Sequence, residues 1–538
     1  MEYDVVVVGA GNAALCAALA AYEGGAKVLV LEKASEDEKG GNSYFTAGGF
    51  RFAHEGLEDV CEDILVDLSE AEREQIVLPK HDKQYFYDQL MKVTHHQCDE
   101  TMAWRLINDS RPTMGWLRGH GVRFIPMFGR QSYVVDGKHV FYGGVNIEAV
   151  GGGQGLVEFE LARLEQLGIE VRYETGATKL LQDQQCNVTG VQVRGPNGYE
   201  EIPARSVVLA CGGFEANPEM RVRYLGPGWD LCRVRGTRHN KGEGIQMALD
   251  IGAQAFGNWS GCHSVGWDIS APPYGDRVVL DNFQKHSYPL GIMVNLNGER
   301  FVDEGEDLRN LTYVRFGREI MAQPHRTCVQ IFDQKTIDML RDEYRIHEVT
   351  KVESDTIKGL AKELEIDPEK LAKTVAEYNA ACQPGDYNPA VLDGVHTKGI
   401  TPPKTNWALP IDKPPYAGFI TTTGITFTFG GLRINDEGAV QDVSERSIPG
   451  LYAAGELVGG LFFHPQHGTR LRHRDDHFLL QQTGDTKPEE FAISLRFDQD
   501  LIIVFMSLVN AGQRNRDSLR RVFDDPKCVR MHIEVGPW

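Results

Sequence analysis

The chain has 538 residues, enough for two or three domains with separate cores. Its 56 basic and 76 acidic residues give a formal net charge of −20, which argues against a nucleic-acid face. It still allows an anionic substrate, because a few arginines in a cleft can oppose the global field. The ten cysteines are scattered, with no Cys-x-x-Cys pair and no zinc spacing. They read as idle or buried thiols in a reducing compartment, and no metal site is expected. No apolar run reaches the ~18 residues of a membrane span. The first strand begins at residue 3, which leaves no room for a cleavable leader, so a cytoplasmic protein is expected.

Residues 3–14 read YDVVVVGAGNAA, and VLVLE follows at 28–32. This is a strand, a glycine turn, a helix and a second strand closed by an acid. Gly9 permits the tight turn, Gly11 lets a pyrophosphate approach the backbone, and Ala14 lets the helix lie close to the sheet. The helix N-terminus offers N–H groups to phosphate, and Glu32 can accept from a ribose diol. A lone Gly-x-Gly-x-x-Ala is a weak signal; its strand, helix and acid at the right distance make it a dinucleotide-binding unit. The competing reading is a buried strand with a glycine-rich turn.

The stretch GGNSYFTAGG at 40–49 follows. Its glycines let backbone amides converge on a ligand, and Asn42 and Ser43 add polar contacts. Residues 56–125 read as mostly helical. A glycine turn, a helix and a strand occupy 151–175. A strand at 189–194 is joined to the next by a Pro-Asn-Gly turn, as in a hairpin, and 206–213 then reads as a separate buried strand ending in a glycine turn. From 258 to 410 proline, tryptophan and histidine enter loops and the doubly wound pattern stops. Inside that segment Asp367-Pro368-Glu369 reads as the start of a helix running to Ala381. The strand-plus-glycine character returns at Gly450–Glu456, where Glu456 can bind a polyol chain or simply close a surface turn. The predicted fold class is α/β, a Rossmann-like dinucleotide-binding domain with an inserted α+β cap domain. The expected division is 1–257 and 411–463 for the first, 258–410 for the cap, and 464–538 as an atypical tail.

Together these pieces resemble the flavoprotein family of fumarate reductases, succinate dehydrogenases, L-aspartate oxidases and 3-ketosteroid dehydrogenases. Gly9, Gly11, Glu32, 40–43, 47–49, 210–213 and 454–456 carry the likeness, which runs to about residue 463. Within the family the chain is most similar to tricarballylate dehydrogenases, through ACGGFEANPEM at 210–220, YLGPGW at 224–229, NWSGCHSVGWD at 258–268 and GITFTFGGL at 424–432.

The resemblance implies FAD, held by Gly9, Gly11, Ala14, Glu32, Lys33, Gly40, Gly41, Asn42, Ser43, Ala47, Gly48, Gly49, Gly212, Gly213, Glu243 and Glu456. Asn42 stands where relatives with covalent flavin carry histidine, so non-covalent FAD is expected. Glu243 replaces the family's Asp in a Gly-Asp-Gly element. The implied reaction removes two hydrogens from adjacent carbons of a small di- or tricarboxylate, a hydride going to flavin and a proton to a protein base. The electron acceptor is left open. Negative charge developing on the substrate carboxylate requires cationic groups in a dry cleft.

Arg309 takes the position of the family's acid/base arginine, allowing one inserted residue; otherwise it is a structural arginine on a charged loop. A guanidinium is a poor base, with a pKa above ~12, and the family couples it to a proton relay. Arg300 reads as structural. His263, in what reads as a glycine-rich loop, resembles the substrate-carboxylate histidine; its alternative is a buried histidine satisfied by backbone. His286 and Tyr288 stand where fumarate reductases have relay groups: one of them relays protons, or neither does. Phe427 replaces a histidine of fumarate reductases, a choice shared with tricarballylate dehydrogenases. After Phe463 the family pattern stops inside a motif, which reads as a frameshift, a retained intron or alternative splicing. Ketosteroid-type and fumarate-type flavin chemistry, and a flavin-binding protein inactivated by this altered C-terminus, remain alternatives.

Overall fold

The computed structural model describes residues 3–463. The questions raised by residues 464–538, including the break in the family pattern, lie outside the described residues.

The first sheet forms around the predicted dinucleotide unit. Strand Tyr3–Val8 is apolar at every position but Asp4, as a strand covered on both faces must be. It pairs in parallel with Val28–Leu31 on one side and with the end of Gly198–Leu209 on the other. Glu170–Arg172 extends the parallel sheet beyond Val28–Leu31. The strand Gly198–Leu209 serves two neighbourhoods. Its first half pairs antiparallel with Val188–Gly195 across the turn, and its last residues run parallel to Tyr3–Val8 and Ser447–Ala453. The sequence reads these halves as two strands; the structure runs them together through Pro203. Helix Asn12–Glu23 packs on the sheet with Ala14, Leu15 and Leu19 fully buried. The turn before it requires glycine: Gly9 has φ +112°, and a Cβ there would lie 2.4 Å from the Ala210 carbonyl oxygen.

Helices between residues 57 and 119 cover one side, the longest being Glu100–Gly119, capped by Asp99. Helix Pro368–Ala381 starts as its sequence predicts. The Asp367 carboxylate accepts from the amides of Glu369 (2.9 Å) and Lys370 (3.2 Å), and Pro368 occupies the first turn.

The second sheet has six strands around Tyr416–Leu432, which is 17 residues long. Ala255–Asp268 pairs antiparallel with it, with His263 opposite Phe427. The expectation of a glycine-rich loop around His263 is corrected here: 255–268 is a strand, buried over its second half. Glycine breaks strand patterns in a sequence, but in this sheet it permits close packing. A Cβ at Gly261 would lie 2.7 Å from the Phe429 ring, and one at Gly266 3.1 Å from the Thr421 methyl. Register shifts flank His263, between Gly257 and Cys262 and again before Ser264, and such irregularities re-aim side chains. Helix Arg309–Met321 lies across this strand, with Gly317 against the backbone of Ser264.

Among the described residues, no helix is long and apolar enough to cross a membrane. None of their His, Cys, Asp and Glu side chains form a group of three able to hold a metal ion.

Candidate active site

A cleft opens where the first sheet's carboxyl ends meet the second sheet. Gly9, Gly11, Glu32, Lys33, Gly41, Asn42, Ser43, Gly212, Glu243 and Glu456 stand on its wall. Ala14, Gly40, Ala47, Gly48, Gly49 and Gly213 do not line it; they lie behind it and let its parts approach. A Cβ on Gly48 would sit 2.5 Å from the carbonyl carbon of Gly152. One on Gly213 would sit 2.2 Å from Glu456 Oε1. Thr237, His239, Asn240 and Thr426 also line the cleft and escape the sequence reading, and Phe427, which replaces the fumarate reductases' histidine, lines it too.

The wall suits a dinucleotide. The N-cap residue Gly11 has no side chain to cap helix Asn12–Glu23, no acid occupies its first turn, and Gly11, Asn12 and Ala13 at its positive end line the cleft. Ser43 Oγ accepts from the Asn12 amide at 3.0 Å and ties the glycine loop to the helix start. Glu32 is held in place by backbone: Oε2 accepts from the Ala10 amide (3.0 Å) and Oε1 from the Ala34 amide (2.7 Å). Each oxygen keeps a second lone pair for a hydroxyl. Burial pushes the Glu32 carboxyl up, and these amides oppose the shift. Lys33 donates to the His239 carbonyl oxygen (2.6 Å) and to Glu243 (2.7 Å), closing that end of the wall.

Asn42 bridges three segments. Its Oδ1 accepts from the Thr237 amide (2.9 Å), and its Nδ2 donates to Glu215 Oε1 (2.7 Å) and the Thr426 carbonyl oxygen (2.6 Å). Glu456 Oε1 accepts from the Thr428 amide at 2.9 Å. Burial raises both Glu456 and Glu215, and the charge of Glu456 raises Glu215 further.

From Phe427 on the cleft wall a chain of rings leads into the second sheet. His263 stacks on Phe427 (centroids 5.1 Å apart, planes 18° from parallel), and its Nε2 lies 3.0 Å from the Tyr313 hydroxyl. Tyr313 meets His286 edge to face at 4.8 Å. Arg309 opens its helix and is buried, with Nη1 3.4 Å from His286 Nδ1. The structure thus brings His263, Tyr313, His286 and Arg309 together.

Burial, followed by the charges of Arg309, Arg341, Arg235 and Arg130, holds the His286 imidazole neutral. A guanidinium can only donate, so Nδ1 is the acceptor toward Arg309 and Nε2 carries the hydrogen. The Tyr288 hydroxyl instead meets Thr312 Oγ1 (2.6 Å) and the Arg309 carbonyl oxygen (3.4 Å). Arg235 reaches toward the cleft, 3.3 Å from Thr426 Oγ1. Arg130 is fixed by Asp281 and Asn282. Arg300 is held by Glu304 and the carbonyl oxygens of Pro402 and Pro403, away from this cluster. Arg130, Arg235 and Arg341 carry no motif that would flag them in the sequence.

A family profile for the FAD binding domain matches residues 4–469. The chain is 29% identical over 472 residues to the probable fumarate reductase Ifc3 of Shewanella frigidimarina, covering 85% of this chain and 70% of that one. It is 27% identical to the urocanate reductase of Eggerthella lenta (85% and 70%) and 25% identical to a 3-oxosteroid 1-dehydrogenase of Mycobacterium tuberculosis (87% and 95%). Its fold is shared with a flavocytochrome c3 fumarate reductase (TM-score 0.65, 23% identity, 97% of this chain and 79% of that one). It is shared equally with the 3-ketosteroid delta1-dehydrogenase of Sterolibacterium denitrificans (TM-score 0.68, 20% identity, 96% and 99%). The chain belongs to the FAD binding domain family and is an FAD-dependent dehydrogenase or reductase acting on carbon–carbon bonds.

Proposed function

We propose that the protein removes two hydrogens from adjacent carbons of a small polycarboxylate, of the type that converts tricarballylate to cis-aconitate. The observation that carries this reading is the set of four arginines around the buried, neutral His286, one ring beyond the His263–Phe427 stack. Asp281 pairs with Arg130 and Arg235, and Glu343 with Arg341; guanidiniums fixed in this way present a positive wall, and carboxylates are its natural ligands.

FAD bound in the cleft supplies the hydride acceptor. The Gly9–Gly11 turn, Glu32, Asn42, Ser43 and Glu456 would hold it. Asn42 also supports dissociable flavin: an amide is no nucleophile, and both its polar atoms already bond protein.

Arg309 handles the substrate proton, and His263 holds a carboxylate near the flavin. As charge builds on the carboxylate beside the acidic carbon, fixed donors stabilise it without reorganising. His286 Nδ1 is the acceptor in contact with the Arg309 guanidinium, which favours it over Tyr288 as the relay group.

A second reading, desaturation of a ketone ring, draws on Tyr133 and Tyr142. These phenols stack at 5.1 Å, and the Tyr142 hydroxyl donates to the Arg130 carbonyl oxygen. An apolar ring gains nothing from the guanidiniums, so the polycarboxylate is favoured.

The test is turnover of purified holoenzyme with an artificial dye as electron acceptor, followed by chromatography of the acids. Aconitate formed from tricarballylate supports the proposal. Dye reduction by a 3-ketosteroid and not by any polycarboxylate would move the assignment to the second reading. Bound flavin with no reduction by either would favour the inactive alternative.

A further inference from the structure

Arg341 sits between two short turns, Ile337–Met339 and Asp342–Tyr344. Its backbone amide donates to Ser287 Oγ (3.1 Å), which places it next to His286 in space. Its Nη2 donates to the Arg130 carbonyl oxygen at 3.2 Å, and its Nε lies 3.3 Å from Glu343 Oε1. The Glu343 approach is an ion pair rather than a hydrogen bond, and both Nε and Nη1 are buried with no hydrogen-bond acceptor among the described residues; Nη1 has no ion-pair contact either.

His286 shows the same deficit. The ring is 2% exposed; Nδ1 faces Arg309, and Nε2 has no hydrogen-bond partner among the described residues. By the tautomer argument above, Nε2 is a donor. Two buried donors on neighbouring groups are thus unmatched, and such donors are rare because each has given up water without gaining an acceptor. Both defects vanish if one carboxylate accepts from both. The neutral ring and the planar guanidinium fork suit its two oxygens.

We propose that Arg341 Nη1 and His286 Nε2 form a carboxylate subsite that selects substrates bearing a carboxylate beyond those at the Arg309–His263 site. The inference rests on the polycarboxylate reading and narrows it to tricarboxylates. Arg341 is then a specificity-determining residue. Arg130 is a positioning residue, since its carbonyl oxygen aims the Arg341 fork while Asp281 fixes its own side chain.

The experiment is calorimetric binding of two acids to the full chain. Propane-1,2,3-tricarboxylate has three carboxylates, and glutarate is the same carbon frame without the middle one. The wild-type protein is expected to prefer the tricarboxylate by about 100-fold, and Arg341→Gln to reduce that preference to about 3-fold or less through the tricarboxylate alone. Arg341→Lys, which keeps the charge and loses the fork, is expected to fall between them. Thermal midpoints check folding; if Arg341→Gln does not fold, the lysine variant carries the test.

A wild-type preference that survives both substitutions, or an equal loss for both acids, overturns the subsite and leaves the polycarboxylate reading intact. A wild-type protein that binds neither acid overturns both.

Discussion

Glu160 carries the largest stability effect that can be worked from the structure. It lies on helix Gly152–Leu167, 1% exposed, beneath helix Asn12–Glu23. The Cys16 thiol donates to its Oε1 at 3.2 Å, and Oε2 has no hydrogen-bond partner among the described residues. Burial pushes its carboxyl from 4.5 up to about 8, with the thiol contact opposing the shift. The folded protein therefore keeps a proton that the unfolded chain releases once the pH exceeds 4.5. No penalty exists below that value; it grows with pH and levels off above about 8.

At 1.36 kcal/mol per pH unit, stability lost through this group is about 1.4 kcal/mol at pH 5.5 and about 4.4 kcal/mol at pH 8. Glu160→Gln has no proton to lose and keeps an oxygen for the thiol. Relative to wild type, it should gain about 3 kcal/mol between pH 5.5 and pH 8. Any cost of placing an amide at the unmatched Oε2 position is a constant offset that the comparison removes. The assay is urea unfolding of both proteins at the two pH values with excess FAD, read by far-ultraviolet circular dichroism. Parallel pH dependences of wild type and variant would refute the reasoning, because Glu160 would then ionise alike in both states.

Three further outcomes are expected. Gly213→Ala places a methyl group 2.2 Å from Glu456 Oε1 and 2.3 Å from Thr428 Oγ1, so Glu456 must move; FAD affinity should fall about 10- to 100-fold in a flavin-fluorescence titration, and unchanged affinity would mean Glu456 does not hold the cofactor. Arg309→Lys keeps the charge but shortens the reach and loses the planar fork; turnover with dye should fall about 1000-fold while FAD stays bound, and a fall below 10-fold would remove Arg309 from proton handling. Acid precipitation of the holoprotein should leave the flavin in the supernatant and a colourless pellet; a yellow pellet would mean covalent attachment despite Asn42.

The cofactor end of the site was legible because it is local. Gly9, Gly11 and Glu32 lie within 24 consecutive residues, and the strand–turn–helix physics that spaces them leaves its mark on the chain. The stretch 47–49 shows the limit of that logic. Gly48 serves close approach to the turn at Gly152 and Gly49 close approach to Met127 and Val145 rather than contact with the cleft, and a sequence does not distinguish those uses. Phe427 and Thr426 reach the cleft only through the pairing of 255–268 with 416–432, a register set by tertiary packing. His263 is legible through family likeness, but its strand reads as a loop because three glycines interrupt the pattern. Arg130, Arg235 and Arg341 come from separate segments, up to 211 residues apart, as the Arg341–Arg130 contact shows. Nothing short of the fold shows that they meet.

The most direct test of the central claim is the absorbance spectrum of the purified holoprotein under anaerobic conditions, before and after tricarballylate is added. The account predicts a flavin band that bleaches, since hydride reaches the flavin only if the acid is bound and oxidised at the Arg309–His263 site. A flavin band unchanged by tricarballylate and bleached by a 3-ketosteroid would contradict it.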